Sequence, residues 1–356
     1  MSETDAISPQ RRGTRGPAPT AEVNLRDVAQ RAGVSAATAS RVFSGHTVVR
    51  PETRDKVLHA AEELGYVVNG LAKAMLGTAA RPLAVVLPNM ENTAFPQLLA
   101  GAEQTASEDG RGLVLSLTHG DAEREQAMVK AACEQRVAGL LLVDATDAGP
   151  DGDERIAAYV TALAAVDARM ILCCHQYLPS QPHILTMNYD HISGIQQIVE
   201  DLAAKGHQRI AFMGWAATTT ASQHFLGYSL GLRNAGLLID SSLVVECPDG
   251  AVDAHLAALF LLNRPARPTA VVCLSDEIAL GVYRAARAFD IDIPTQLAIS
   301  GFGDAPCSAD LTPSLTSVQV PYHDLGVRAA QLALGLVDVN ARADLATKVI
   351  LRESTG

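Results

Sequence analysis

The sequence predicts a small all-α head followed by a larger α/β body whose parallel sheets are divided between two subdomains. Three observations predict it. Residues 22–66 carry helical periodicity punctuated by capping residues and glycines. From Pro82 onward, short β-branched runs alternate with stretches of helical period, the pattern of parallel sheets covered on both faces. The runs number about nine over roughly 270 residues, more than one comfortable sheet, so two similar subdomains fit better.

Length and composition agree. The 356 residues are 48% apolar and 19% charged, enough for two or three domains at about 150 residues each. No run of eighteen apolar residues is present, so no membrane span is expected. Residues 1–21, rich in Pro, Gly, Ser, Thr and Arg, lack the apolar stretch of a secretory signal and read as a disordered tail. A cytoplasmic protein is expected. The cysteines at 133, 173, 174, 247, 273 and 307 are scattered, form no C-x-x-C pair and lie partly in apolar runs, as buried free thiols do. Charge is split along the chain. Residues 1–81 carry 11 Lys and Arg against 8 Asp and Glu, a balance of +3; the whole chain stands at −11, so the remainder stands at −14. A slightly basic head on an acidic body is compatible with nucleic acid at one end only.

In the head, Asn24 can cap a helix LRDVAQRAG with Leu25, Val28 and Ala29 on one stripe, and Gly33 stops it. Ser35 caps a second helix, AATASRVFSG, ended by Gly45. A third begins at Pro51 and runs ETRDKVLHAAEELG, with Val57, Leu58, Ala61 and Leu64 expected inward; Gly65 ends it and Tyr66 closes over the core. Two short helices joined by a tight glycine turn make a helix-turn-helix. In such a unit the second helix enters the major groove by its N-terminal residues. Ala36 and Ala37 permit close approach and contact with thymine methyls. Thr38 and Ser40 suit phosphates. Arg41 suits guanine O6 and N7, and Ser35 sets the positive helix end against a phosphate. The same spacing also suits a three-helix packing module without a ligand.

Residues 67–78, VVNGLAKAMLGT, read as a short helix capped by Asn69, with Ala72, Lys73 and Met75 on one face. An apolar wedge beside a cation suits insertion into a minor groove; an ordinary linker has the same composition.

The stretch NLRDVAQRAGVSAATASRVFSG, then ETRDKVLHAAEELGY, then N-x-x-A-K-x-M resembles the head and hinge helix of the lactose repressor (LacI) family. The resemblance implies base reading by Ala36, Ala37 and Arg41. It puts Asn24, Ser35, Thr38, Ser40 and Arg54 near phosphates. Met75 stands where the family usually has a leucine wedge, Lys73 where it often has Arg and Val68 where it often has Pro.

The body runs are LAVVLP, GLVLSL, GLLLV, MILCC, ILTM, RIAFMG, LVVE, TAVVCL and LAISGF. Ligands of such folds bind at the carboxyl ends of the strands. The loops there offer Asn92 and Phe95, then Asp144, then His175 and Gln176. Beyond the crossover they offer Asp190, Trp215, Gln223, Asp276 and Asp304. An aromatic plate with amides and carboxylates is how a small polyol is held. The body is similar to the periplasmic-binding-protein-like effector domain of the same family, through DHISG, KGHQRIAFMG, LSDEIALG, ISGFGDAP, LTPSLTSV and LRESTG. That similarity implies three crossings between subdomains, near 187, 316 and 340. The expected division is 1–21 tail, 22–67 head, 68–80 hinge or linker and 81–356 effector and dimerisation domain. Within the last, the N-subdomain takes about 81–187 and 316–339, and the C-subdomain 188–315 and 340–356.

Sugar-binding members of the family usually carry an Arg just ahead of the R-x-x-G-[FY] helix; here TTTASQHFLGY has Ser222, Gln223 and His224. An Asp is usual where Cys174 and His175 stand. Without that Arg no bidentate clamp is offered to a carboxylate or phosphate, and a neutral or weakly polar effector is favoured.

Neither G-x-x-x-x-G-K-[ST] nor G-x-S-x-G occurs, and SGFGDAP is not the dinucleotide fingerprint. Asp144 with Asp147, and Asp276 with Glu277, read as crevice residues or helix caps before catalytic pairs. An enzyme with an appended head lacks its phosphate loop or acid/base pair, and a transport solute-binding protein lacks its signal. The reading is a non-enzymatic, ligand-responsive DNA-binding regulator, most simply a repressor. Its expected partners are near-palindromic operator DNA, a sugar, sugar acid or polyol effector, and a second copy of itself. No cofactor, metal or membrane is expected.

Overall fold

The computed structural model describes residues 23–43, 49–66, 80–90, 94–145, 150–175, 178, 181–215, 219–247, 251–338 and 344–356. The chain divides into two units, Met1–Ala80 and Arg81–Gly356.

In the first unit three helices form: α1 (Leu25–Ala32), α2 (Ala36–Phe43) and α3 (Pro51–Glu63). Asn24 caps α1 through a full capping box. Its Oδ1 accepts from the amides of Arg26 (2.9 Å) and Asp27 (3.4 Å), and its own amide donates to Asp27 Oδ2 (2.8 Å). Such a cap contributes about 1 kcal/mol. Gly33 closes α1 in the left-handed region at φ 68°, where a side chain would be strained. Ser35 Oγ accepts from the Thr38 amide at 3.1 Å and starts α2. Val28, Ala29, Ala39, Val42, Val57, Ala60 and Ala61 make the core, and Tyr66 packs on Phe43 with ring centroids 5.6 Å apart. Leu58, expected inward, is 45% exposed. It lies one residue, about 100°, off the stripe of Val57, Ala61 and Leu64, and Ala60 takes the inward place. Gly45 and the hinge residues Asn69, Ala72, Lys73 and Met75 lie outside the described residues.

The second unit is an α/β body with two sheets. Strands β1 (Leu83–Leu87), β2 (Leu113–Leu117), β3 (Gly139–Val143), β4 (Arg169–Cys173) and β5 (Leu185–Met187) form a parallel sheet in the order β2-β1-β3-β4-β5. Helices α4 (Ala94–Glu108), α5 (Ala122–Glu134) and α6 (Pro150–Ala164) connect them. After β5 the chain passes to the second sheet through α7 (Ser193–Ala204). There β6 (Ile210–Trp215), α8 (Thr219–Asn234), β7 (Val244–Glu246), α9 (Ala251–Leu262), β8 (Ala270–Cys273), α10 (Asp276–Ala288) and β9 (Ala298–Gly303) follow. The central strands β1, β3, β6, β8 and β9 are buried almost throughout, which is why they read as unbroken apolar runs.

Two further strands were not among the nine runs: β10 (Thr316–Gln319) and β11 (Lys348–Ile350). They extend the second sheet to β11-β10-β9-β8-β6-β7, with β11 antiparallel. Because β10 pairs with β9, the crossing expected near 316 falls instead at Val320–Pro321. From there α11 (Tyr322–Leu334) returns to the first sheet and packs on α4. Their backbones meet closely: a Cβ on Gly101 would collide with the His323 carbonyl, and one on Gly326 with the Leu98 carbonyl. Residues 339–343, around the crossing expected near 340, lie outside the described residues; Leu345 bridges Tyr189 of the first crossover.

Candidate nucleic-acid interface and effector crevice

On α2 the side chains face two ways. Ala39 and Val42 are buried in the head core, whereas Ala36, Ala37 and Arg41 are exposed on the opposite side with Ser35 at its N-terminus. Thr38 and Ser40 are half-buried beside them. The Thr38 hydroxyl shares a 2.9 Å hydrogen bond with Ser35 Oγ, so the two hydroxyls hold the helix start together. Arg54 is exposed in the first turn of α3, and Asn24 is occupied by the capping box. The small side chains leave the α2 backbone open to close approach, and Arg41 extends from the same face.

In the body, the strand ends carry backbone in an unusual region. Asp144 after β3 (φ 47°), Cys174 after β4 (φ 55°) and Asp304 after β9 (φ 52°) are left-handed without being glycine. Such conformations gather where a surrounding structure fixes a site. The Asp144 amide donates to the Cys173 carbonyl and the Cys174 amide to the Met187 carbonyl, both at 3.0 Å, tying β3, β4 and β5 together at this edge. His175 is half-buried one residue on.

The remaining expected crevice residues divide by task. Trp215 stands half-buried at the end of β6 against Phe225, with centroids 5.0 Å apart, and Gln223 is half-buried on α8. Phe95, expected to line the crevice, is buried in the core beneath the first turn of α4. Asp190 Oδ1 accepts from the amides of Ile192 (2.9 Å) and Ser193 (3.0 Å) at the start of α7. Partial burial pushes its carboxyl up, but these hydrogen bonds outweigh that and hold it below the ordinary aspartate range. Asp276 is 2% exposed. Its Oδ2 accepts from the Ala305 amide (2.5 Å) and Ser308 Oγ (3.0 Å), and its Oδ1 from Ser317 Oγ (2.6 Å). Burial pushes Asp276 above the ordinary range in spite of those donors. Its immediate task is to hold the 304–308 loop on β10. Asn92 and Gln176 lie outside the described residues.

Asp304 joins the C-terminal segment to the end of β9. Arg352 Nη2 lies 2.7 Å from its Oδ1 as a close ion pair whose angle is not that of a hydrogen bond, and Gln319 Nε2 donates to its Oδ2 at 3.0 Å. A cavity of 190 Å³ opens beside it, lined by Gln97, Asp304, Gln319, Tyr322 and His323 at the second crossover.

Sequence reasoning missed the residues that knit the crossovers: Tyr189, His191, Phe302, Tyr322 and Arg352. Tyr189 and Tyr322 meet edge-on at 5.5 Å, and Tyr189 packs on Phe302 at 6.0 Å. Two histidines at helix starts, in DHISG and QHFLGY, were the available signal. Among the described residues no group of three or more His, Cys, Asp or Glu could hold a metal ion, and no helix is long and apolar enough to cross a membrane.

A capped helix-turn-helix with an exposed small-residue face, and separately a two-sheet body with constrained strand ends, define a class: transcriptional regulators that bind DNA with one unit and a ligand with the other. Comparison with known proteins agrees. The model of bacterial regulatory proteins of the lacI family matches residues 24–69, and that of a periplasmic binding protein-like domain matches residues 199–355. The catabolite control protein A of Priestia megaterium is 29% identical over 87% of this chain and 91% of its own length. The ribose operon repressor of Haemophilus influenzae is 28% identical over 87% and 90%. A lac repressor dimer solved with operator and the anti-inducer ONPF matches with a TM-score of 0.81 at 26% identity, covering 94% of this chain and 99% of that one. A complex of the regulator CelR with cellobiose matches with a TM-score of 0.66 at 25% identity, over 93% and 99%. The head is that of the lacI family of bacterial regulatory proteins, and along most of its length the chain is similar to transcriptional regulators and repressors.

Proposed function

We propose that the protein is a dimeric, cytoplasmic repressor that binds a near-palindromic operator and is controlled by a small polyhydroxylated effector, and that it governs an operon for carbohydrate or related catabolism. The observation that carries the reading is the α2 face, where Ala36, Ala37 and Arg41 are exposed while Ala39 and Val42 hold the core. Arg41 reads a guanine edge, the alanines contact thymine methyls, and Ser35, Thr38, Ser40, Asn24 and Arg54 set the register on phosphates. Asn69, Ala72, Lys73 and Met75 add a minor-groove contact. The effector sits at the strand ends near Asp144, His175, Asp190, Trp215, Gln223 and Asp304, with Asn92, Gln176 and Asp276 supporting. Relatives named for ribose and a structure named for cellobiose support a carbohydrate ligand.

Exposed Val252, Leu256 and Phe260 follow one another at four-residue spacing on α9 and supply an apolar stripe for a second copy. The relative solved as a dimer on operator supports that occupant. The test is a gel-shift assay of the purified protein on fragments from upstream of its own gene, with and without sugars, sugar acids and polyols. A specific complex released or strengthened by one compound is expected. Failure to bind any fragment at low salt overturns the reading.

A further inference from the structure

The body begins at Arg81, and the side chain there is tied to backbone on several sides. Its Nε donates to the Arg136 carbonyl, and its Nη2 donates to the Val137 and Val166 carbonyls, each at 2.6 Å. Nη1 stands 3.7 Å from Asp167 Oδ2. These carbonyls belong to the turns that end α5 and α6. Both turns close on a residue other than glycine in the left-handed region, Arg136 at φ 51° and Asp167 at φ 57°. In each, the next amide returns to the helix: Val137 donates to the Ala132 carbonyl at 3.2 Å and Ala168 to the Leu163 carbonyl at 3.0 Å. A cation is favoured at such helix ends, and a planar fork of N–H groups can serve two of them at once. The turn after α4 reaches the same residue. Arg111 Nη1 donates to the Arg81 carbonyl at 3.0 Å, and Arg111 Nε pairs with Asp109 Oδ2. The turns that follow α4, α5 and α6 therefore all meet Arg81, immediately before β1 enters the sheet.

We propose that Arg81 is the positioning residue that fixes where each linker leaves the body, and that it thereby sets the half-site separation the dimer accepts on operator DNA. The inference rests on the dimeric repressor reading above and on its minor-groove segment. That segment is drawn from residues 67–78, so only Ala79 and Ala80 stand between it and Arg81. Three steps along the chain span at most about 11 Å, which leaves little slack to absorb a displaced anchor. Because three turns hold it, the anchor moves with the first sheet and its helices and not with a single loop. In a two-fold dimer the two anchors stand at one separation, and half-site spacing becomes a geometric property of the body. One base pair inserted between half-sites moves one of them by about 3.4 Å and turns it by about 35°. A fixed anchor rejects that change. A loose one tolerates it, since the effective concentration of the second head depends on the stiffness of its tether. An arginine that only held β1 in place would act otherwise: its loss would lower the folded fraction and weaken every spacing alike.

The full chain is assayed by fluorescence anisotropy on the strongest specific site found upstream of its own gene. The same site is also made with its half-sites moved apart or together by one and two base pairs. Wild type is expected to lose about tenfold or more in affinity for each base pair of change. Arg81→Met keeps an apolar stem and removes every donor; it is expected to lose about threefold or less per base pair, while remaining a folded dimer by circular dichroism and sedimentation. Its binding to a single half-site stays as in the wild type. A folded Arg81→Met protein with the wild-type spacing profile overturns the inference. So does one weakened by the same factor at every spacing. If Arg81→Met fails to fold, Arg81→Lys decides by the same profiles, because one ammonium cannot hold two turns as the fork does. A wild-type complex that is specific but indifferent to spacing removes this inference alone; no specific complex at any spacing removes the regulator reading itself.

Discussion

Arg41 leaves α2 on the side away from Val42 and Ala39, and its length sets the reach of the interface. If it reads a guanine edge, Arg41→Ala lowers specific operator affinity by about 1–3 kcal/mol and leaves most non-specific binding in place. Fluorescence anisotropy on operator and scrambled DNA at matched salt distinguishes this from a phosphate contact, which would weaken both together. A second residue-scale expectation concerns pH. His191 is held down at about 4, and His224 is held low as well, both first by burial. The unfolded chain then binds more protons between the ordinary histidine value of 6.5 and that lower one. Their contribution to stability is therefore complete above about pH 6.5 and is lost as pH falls toward about 4. Neighbouring Asp190 opposes the shift of His191, and Asp276, raised by burial, titrates with the opposite sign. The comparison is thus between wild type and His191→Gln/His224→Gln. Melting temperature falls less steeply from pH 7.5 to 5 in the double variant; equal slopes would assign the acid sensitivity elsewhere. Local chemistry of this kind is unevenly legible. The capping by Asn24 and Ser35 follows from residue type and position alone. The meeting of His191 with His224 joins residues 33 apart in sequence, and no local pattern encodes it.

Helix phase and strand burial explain which elements the sequence reveals. α1, α2 and nine strands carry a period or an apolar run. β10 does not, because Thr316 and Ser317 are fully buried yet polar: Ser317 donates to Asp276, and Thr316 exchanges hydrogen bonds with Ser354, Thr355 and the Arg352 backbone. A buried strand whose adjacent, opposite-facing residues are both tied into hydrogen-bond networks has no hydrophobic signature. Leu58 shows the converse, an apolar residue whose phase alone puts it outside. The α4–α11 crossing is also set by what is missing, since Gly101 and Gly326 let the two backbones touch. Gly101→Ala forces the helices apart and lowers stability by about 1–3 kcal/mol. Urea unfolding measures it, and a variant as stable as wild type would mean that the helices separate freely. Gly110→Ala is the contrasting control. No atom lies within 4 Å of the Cβ it would add, so its cost is confined to the left-handed backbone at φ +68°.

Assembly would turn a single weak DNA contact into a regulator, and the proposal places the contact between copies on the apolar stripe of α9. Val252, Leu256 and Phe260 are 68%, 52% and 77% exposed on a helix that buries Ala254, Ala258, Leu261 and Leu262 against α10 and the second sheet. A closed two-fold interface uses the same patch on both copies, so each side chain is buried twice per dimer. At about 1.5–3 kcal/mol for a fully buried Leu or Phe, removing Leu256 and Phe260 removes four such groups from one interface. Leu256→Lys/Phe260→Lys also places like charges across the two-fold axis. Sedimentation equilibrium is expected to show the wild type as a dimer and this variant as a monomer, with the head intact by circular dichroism. Operator affinity then follows protein concentration steeply, because two heads must be recruited separately to two half-sites. Half-site binding stays as in the wild type, since α2 is untouched. A variant that remains dimeric would assign the stripe to another partner and move the dimer interface elsewhere on the body.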